Sequence, residues 1–163
     1  MDEAVLICRA LPEDAEVIFG LIRQLAIYEE EPNAVLCSVD DLRQQLASQN
    51  PPFQCLLAKQ NGKDVGFALY FFSYSTWRGR PCLYLEDLFV LDEHRRKGAG
   101  LKLMQALAQE ALHKDCPRME WSVLNWNQLA IDFYRKLGAI AMDEWTRYRL
   151  EEAQITALIE REK

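Results

Sequence analysis

Apolar residues in this chain fall into stretches of helical and of extended spacing that take turns along its length. Val17, Ile18, Leu21, Ile22 and Leu25 recur at three- and four-residue intervals behind Pro12-Glu13-Asp14. That pattern predicts a helix opened by the proline and running to about Glu30, before Pro32. Val5 to Arg9, just ahead of it, reads as a short strand. Ser38 and Asp41 resemble a capping pair in front of Leu42 and Leu46, which predicts a second, shorter helix that Pro51-Pro52 stops.

Phe53 to Lys59 and Val65 to Phe72 are rich in strand formers and flank Gln60-Asn61-Gly62-Lys63, the strongest short hairpin signal in the chain. Cys82 to Val90 is the next predicted strand. A helix follows from about Gly98, with Leu101, Met104, Leu107, Ala108 and Ala111 as its expected buried stripe. Further on come a strand at Arg118 to Val123, a helix from Asn127 to Leu137 ended by Gly138, and two closing strands at Ala139 to Met142 and Trp145 to Leu150. Ile155, Leu158 and Ile159 suggest a terminal helix over Glu151 to Glu162. Because the middle strands follow one another as hairpins, the sheet is expected to be mixed within one α/β or α+β domain spanning residues 1–163.

With 163 residues, half of them apolar, the chain can enclose a proper core. A formal charge of −6 speaks against nucleic acid, whose phosphates call for a basic face, and suits a cationic substrate. Cys8, Cys37, Cys55, Cys82 and Cys116 are scattered, never spaced as CxxC, and not grouped with His94 or His113. Buried, inert thiols are therefore expected, not a zinc site or a disulfide framework. Asp2 and Glu3 stand at the start with no long apolar run behind them, and no stretch approaches the length of a membrane span. A cytoplasmic protein, with neither membrane nor nucleic-acid partner, is expected.

The chemistry concentrates where Tyr84-Leu85-Glu86-Asp87-Leu88-Phe89-Val90 runs into Arg95-Arg96-Lys97-Gly98-Ala99-Gly100. A helix starting near Gly98 presents unpaired N–H groups and a positive dipole end, and the glycines let a pyrophosphate approach the backbone. A P-loop is excluded because Gly100 is followed by Leu101-Lys102 at the wrong spacing. A dinucleotide fingerprint finds its first two glycines in Gly98 and Gly100 and an acid in Glu120, but Leu103 occupies the third glycine's place and seven residues separate Val90 from Gly98. An ordinary βα turn with solvated basic residues stays open.

Glu86 and Asp87 interrupt an apolar strand. Since neighbours on a strand point to opposite faces, at least one of them must face inward or enter a cleft, as a structural acid or as a base of raised pKa. Tyr134 shares a helical stripe with Ala130, Phe133 and Leu137, which fits core packing or a phenol donating a proton. Tyr28, Glu29 and Trp77 read by themselves as surface residues, and Trp121 and Trp126 as core.

Taken together, these residues resemble a known pattern. Arg95 to Gly100 match the R/Q-x-x-G-x-G/A motif by which GCN-five-related N-acetyltransferases hold the pyrophosphate of acetyl-CoA. Tyr70-Phe71-Phe72, Tyr74-Ser75-Thr76-Trp77, Tyr84-Leu85-Glu86-Asp87, Trp126-Asn127, Phe133-Tyr134 and Gly138-Ala139 narrow the resemblance to the diamine acetyltransferases, the spermidine/spermine and thialysine N-acetyltransferase group. The resemblance implies a central mixed, mostly antiparallel sheet flanked by helices, acetyl-CoA as co-substrate without a metal, and a homodimer formed through C-terminal elements.

It also implies roles. Glu86 would relay the amine's proton through water, and Tyr134 would act as general acid toward the CoA sulfur. The backbone of Leu88, Phe89 and Val90 would pair with the pantetheine arm. Arg95, Arg96, Lys97, Gly98, Ala99, Gly100 and Leu101 would hold the diphosphate, with further CoA contacts from Asn127, Gln128, Leu129, Ala130, Tyr134 and Lys136. Tyr28, Glu29, Trp77, Glu86, Glu120, Trp121 and Ser122 would face the substrate. An alkylamine with pKa near 10.4 is neutral in about one molecule per thousand near neutral pH, so baring its lone pair costs about 4 kcal/mol that a positioned base can share.

The substrate stays open among polyamines, diamines and lysine-like amino acids. Glu30-Glu31-Pro32-Asn33 and Glu120 depart from the polyamine enzymes, while Tyr74 to Arg80 and Val123 to Asn127 lie closer to the thialysine branch. The expected activity is direct acetyl transfer to a small aliphatic primary amine in a ternary complex. The rival is a non-catalytic acyl-CoA-binding or sensor domain.

Overall fold

Asn61 and Gly62 both adopt positive φ, 51° and 73°, the conformation a two-residue type I′ hairpin demands. They join strand β2, Gln54–Gln60, to strand β3, Lys63–Ser75. The structure is a computed structural model that describes residues 4–161; Asp2, Glu3 and Glu162 lie outside the described residues. Within these, the chain divides into two compact units, one ending at Ser122 and the other beginning at Val123.

The first unit is built on a five-stranded sheet in the order β1-β2-β3-β4-β5, with β1 at Leu6–Arg9, β4 at Arg80–Val90 and β5 at Met119–Trp121. Neighbours are antiparallel except β4 and β5, which run parallel. The mixed, mostly antiparallel sheet expected from the sequence is therefore present. Helices α1 (Ala15–Tyr28), α2 (Val39–Ala47) and α3 (Ala99–His113) accompany it.

The helix ends follow from local chemistry. Pro12–Asp14 form a short 3-10 turn ahead of α1, since proline fits a first turn that needs no N–H from it. At the other end of α1, the Glu31 N–H donates to the Ala26 carbonyl (2.8 Å) and the Glu30 N–H to that of Ile27 (3.1 Å), with Glu30 left-handed at φ 64°. This is a Schellman closure carrying glutamate where glycine is usual. The Ser38 N–H donates to Asp41 Oδ2 (2.7 Å) and the Asp41 N–H to Ser38 Oγ (3.1 Å), the expected capping box of α2.

Ile18, Leu21 and Leu25 of α1 and Leu42 of α2 pack with Leu57, Phe67, Leu69 and Phe89 in one buried cluster. Strand alternation then sends Leu56, Ala58 and Ala68, also buried, to the opposite side. There α3 lies along β2, β3 and β4. Its buried residues are Ala99, Leu103, Met104, Leu107 and Ala111. Leu101, expected in that stripe, is exposed, because the inward face is set by Leu103.

The second unit holds α4, Gln128–Lys136, and α5, Glu152–Ile159. The two closing strands expected over Ala139 to Leu150 are absent. Their alternation was real, but a strand needs a ladder partner, and Ile140, Met142, Trp145 and Tyr148 are exposed among the described residues. Two burial expectations are corrected as well. Trp126 is exposed, not core. Cys55, Cys82 and Cys116 are buried thiols, Cys8 is half-buried, and Cys37 is exposed.

Candidate active site

A β-bulge brings the two adjacent carboxylates of β4 into use together. Leu85 pairs with Tyr70 and Asp87 with Leu69, leaving Glu86 as an extra residue with no partner on β3. Strict alternation would have forced the two acids onto opposite faces, and the bulge removes that requirement. Leu69 belongs to the cluster beneath α1, so Asp87 shares that face, half-buried, while Glu86 is exposed.

The environment of Asp87 is apolar and negative. Its carboxyl is pushed up to about 7, first by burial, then by the charge of Glu86, then by that of Glu29. Burial likewise raises the carboxyl of Glu29, which caps the C-terminus of α1. Cys37 stands close enough for the Asp87 charge to raise its thiol, after the larger effects of burial and Asp41. Glu29, Glu86 and Asp87 thus form one acidic corner at the bulge, suited to a cation.

Beside this corner, the Tyr28 and Phe89 rings lie 6.2 Å apart. The guanidinium of Arg95 covers both, with Cζ 4.4 Å from the Tyr28 centroid and 5.5 Å from that of Phe89. Its Nε donates to the Val90 carbonyl (2.9 Å) and its Nη2 meets Asp92 Oδ1 at 2.8 Å.

From Glu86 onward β4 leaves its neighbour. β5 pairs with β4 only at Leu83, Tyr84 and Leu85, so Leu88, Phe89 and Val90 border an open sheet edge that an extended, hydrogen-bonding arm can occupy. That edge leads to the start of α3. Gly98 sits there at φ 89°, and nothing lies within 4 Å of where a Cβ would stand. The first α3 amide to reach a carbonyl is that of Lys102, bonded to Gly98 at 3.0 Å; the helix start therefore leaves the amides of Ala99, Gly100 and Leu101 without carbonyls of their own turn.

No acid stands in the first turn of α3, and Arg96 and Lys97 are exposed beside it. Amides, dipole and charge all favour an anion at this point. The residues fit a nucleotide diphosphate.

The remaining sequence-predicted residues are distributed as follows. Glu120 pairs with Tyr84 across β4 and β5 and forms an ion pair with Arg118 (3.2 Å). Trp121 is half-buried at the end of β5, and Ser122 Oγ lies 3.3 Å from the Tyr84 hydroxyl. Trp77, 87% exposed, sits in the turn between β3 and β4, beyond about 20 Å of strand from the bulge at roughly 3.3 Å per residue. The chain itself does not bring Trp77 to the acidic corner.

In the second unit, Asn127 caps α4, its Oδ1 accepting from the Ala130 N–H at 3.2 Å. Gln128 Nε2 donates to Asp132 Oδ1 (2.7 Å). Leu129 and Lys136 are exposed, and Tyr134 is half-buried with its ring 5.5 Å from that of Phe133. Asp87 joins the site although the sequence-predicted site residues include only its neighbour Glu86. The signal was the doubled acid within an apolar strand, and only the bulge register shows which of the pair is the desolvated one.

A model of the acetyltransferase (GNAT) family matches residues 21–139. The thialysine N-epsilon-acetyltransferase of Sus scrofa is 40% identical over 159 residues, covering 91% of this chain and 93% of that one. The spermidine/spermine N(1)-acetyltransferase-like protein 1 of Homo sapiens is 32% identical over 152 residues, covering 87% of this chain and 22% of that protein. An integron cassette protein from the mobile metagenome of V. cholerae superposes with a TM-score of 0.80 at 29% identity, over 98% of this chain and 99% of that one.

Sheet and comparisons together define an acetyltransferase fold, and the chain belongs to the acetyltransferase (GNAT) family, whose members use acetyl-CoA. Its similarity to these two relatives matches the diamine acetyltransferase group, and the chain is an N-acetyltransferase.

Proposed function

We propose that the enzyme moves an acetyl group directly from acetyl-CoA to the primary amine of a small aliphatic amine within a ternary complex. The candidates are a polyamine or diamine and a thialysine- or lysine-like amino acid. The observation that carries this proposal is the acidic corner of Glu29, Glu86 and Asp87 beside the open edge of β4. Three carboxyls crowded at one corner attract an ammonium, and the exposed Glu86 stands among them where water can carry the departing proton away.

The coenzyme supplies an acyl thioester, and this chain does the rest. The amides at the start of α3, with Arg96 and Lys97, would bind the diphosphate, and the backbone of Leu88, Phe89 and Val90 would align the arm. Glu29 and Asp87 would hold the ammonium, with Tyr28 and the Glu120, Trp121, Ser122 stretch bounding its room. Glu86 would take the departing proton through water. Tyr134 would give one to the leaving thiolate, and Asn127, Gln128, Leu129, Ala130 and Lys136 would add coenzyme contacts.

We further propose a cytoplasmic homodimer. Its support is the apolar surface of the second unit, where Ile140, Met142, Trp145 and Tyr148 are exposed; sedimentation of the purified chain as a monomer would contradict it. Among the described residues no helix is long and apolar enough to cross a membrane.

The activity is tested by following thiol release from acetyl-CoA with spermidine, putrescine, thialysine and lysine. Release with at least one of them is expected. Tight acetyl-CoA binding with no release for any amine would favour a sensor domain instead.

A further inference from the structure

Arg95 opens the basic run before the cradle, yet its guanidinium is already committed elsewhere. It lies over Tyr28, the last residue of α1, and over Phe89 of β4. It donates to the Val90 carbonyl at 2.9 Å and pairs with Asp92 at 2.8 Å, with 22% of the side chain exposed. Three segments of the first unit, the α1 end, β4 and the turn after it, converge on one planar cation. Arginine alone among side chains can stack on a ring while its edge donates in a fixed fork; a lysine ammonium offers neither the plane nor the fork. The residue that follows, Arg96, is held left-handed at φ 62°.

We propose that Arg95 is a positioning residue: it clamps the Tyr28-Glu29 end of α1 onto β4, and so sets the amine-binding corner from within the loop that, in the function proposed above, receives the coenzyme. The positive charge for the diphosphate is left to Arg96, Lys97 and the α3 amides. Opening the clamp would let Glu29 swing away and admit water to Asp87. Among the described residues, the charges that act on Asp87 are those of Glu86 from its own strand and Glu29 from the α1 end, and its own charge reaches Cys37 from the segment before α2 and Cys55 from β2. Burial and Glu29 both raise the Asp87 carboxyl, so losing either lowers it.

The test uses the full chain as wild type, Arg95→Lys, Arg95→Gln, Tyr28→Leu and the Arg95→Lys/Tyr28→Leu pair. The Asp87 carboxyl is titrated by carbon NMR, coenzyme A affinity is measured by calorimetry at two salt concentrations, and kcat and KM are measured for the best amine of the panel. The proposal expects the Asp87 midpoint to drop by about one pH unit in Arg95→Lys and in Tyr28→Leu, and to drop no further in the double variant. KM for the amine should rise, while Arg95→Lys changes coenzyme affinity less than threefold.

The proposal is overturned if Tyr28→Leu leaves Asp87 titrating as in the wild type. It is equally overturned if Arg95→Gln weakens coenzyme A tenfold or more with a shallower salt dependence and leaves amine KM unchanged, the signature of a phosphate ligand. Should Arg95→Gln fail to fold, Arg95→Lys and Tyr28→Leu decide. A wild type that takes up no coenzyme A would remove the proposed function while leaving the Asp87 titration to judge the clamp.

Discussion

Asp87 faces Leu69 across the β3–β4 ladder, which sets a carboxylate against the apolar side of the sheet. A charge in that place is costly. The carboxyl responds by holding its proton up to a pH of about 7, against an ordinary value near 3.9.

The sign of the resulting stability change follows from proton binding. Below about pH 4 the folded and unfolded chains both carry the proton, and the group contributes nothing. Between about 4 and 7 only the folded chain keeps it, so stability falls as pH rises through that window and stays lowered above it. Asp87→Asn should therefore stabilise the fold at pH 8 by up to about 4 kcal/mol and by little at pH 4. Urea unfolding of both proteins at the two pH values checks this. Equal stability at pH 8 would show that the carboxylate is not desolvated.

Glu86 is the extra residue of the bulge, exposed and without a partner on β3, a position open to both amine and water. Glu86→Gln should move the pH dependence of kcat/KM upward, toward the amine's own pKa, as the relay is lost. A profile superposing on that of the wild type would rule out a proton role.

Tyr134→Phe removes a proton donor and keeps the ring that lies 5.5 Å from Phe133. Turnover should drop by about a hundredfold or more, with coenzyme affinity nearly unchanged. Kinetics and calorimetry on the same preparation decide, because parallel losses in both would reveal a packing role.

Gly66 is required by a close approach. A Cβ there would meet the Phe89 carbonyl oxygen at 2.6 Å, next to the edge proposed to receive the coenzyme arm. Gly66→Ala should cost about 2–3 kcal/mol. Gly20→Ala, on α1 with nothing within 4 Å of its Cβ, should instead stabilise by roughly 0.5–1 kcal/mol. Thermal melting of the pair separates the cases; a neutral Gly66→Ala would mean that β3 and β4 can part.

Much of the architecture was legible where the chemistry is local. Asn61-Gly62 specified its turn, Ser38 and Asp41 their capping box, and Gly98 the entry to α3, because each signal acts within four residues. Misreadings arose where distant partners decide. Ala139 to Leu150 alternates as a strand would, but alternation carries no information about whether a ladder partner exists. Leu101 and Leu103 are equally apolar, and only the sheet chooses which of them turns inward.

The candidate site divided along the same line. The left-handed Gly98 and the helix start behind it could be read from a six-residue motif. The choice between Glu86 and Asp87 as the desolvated acid depends on a bulge opposite Leu69 and Tyr70, some sixteen residues earlier in the chain, and the engagement of Arg95 depends on Tyr28, far upstream. Neither leaves a mark in local spacing.

The central claim is that the start of α3 grips the diphosphate of coenzyme A and so aims its thioester at the acidic corner. Calorimetric titration of the purified chain with acetyl-CoA, coenzyme A and pantetheine tests it most directly. Uptake of both coenzyme forms at one site per chain, with pantetheine bound at least tenfold more weakly, is the predicted result. No heat with either coenzyme form, or equal affinity for pantetheine, would contradict it.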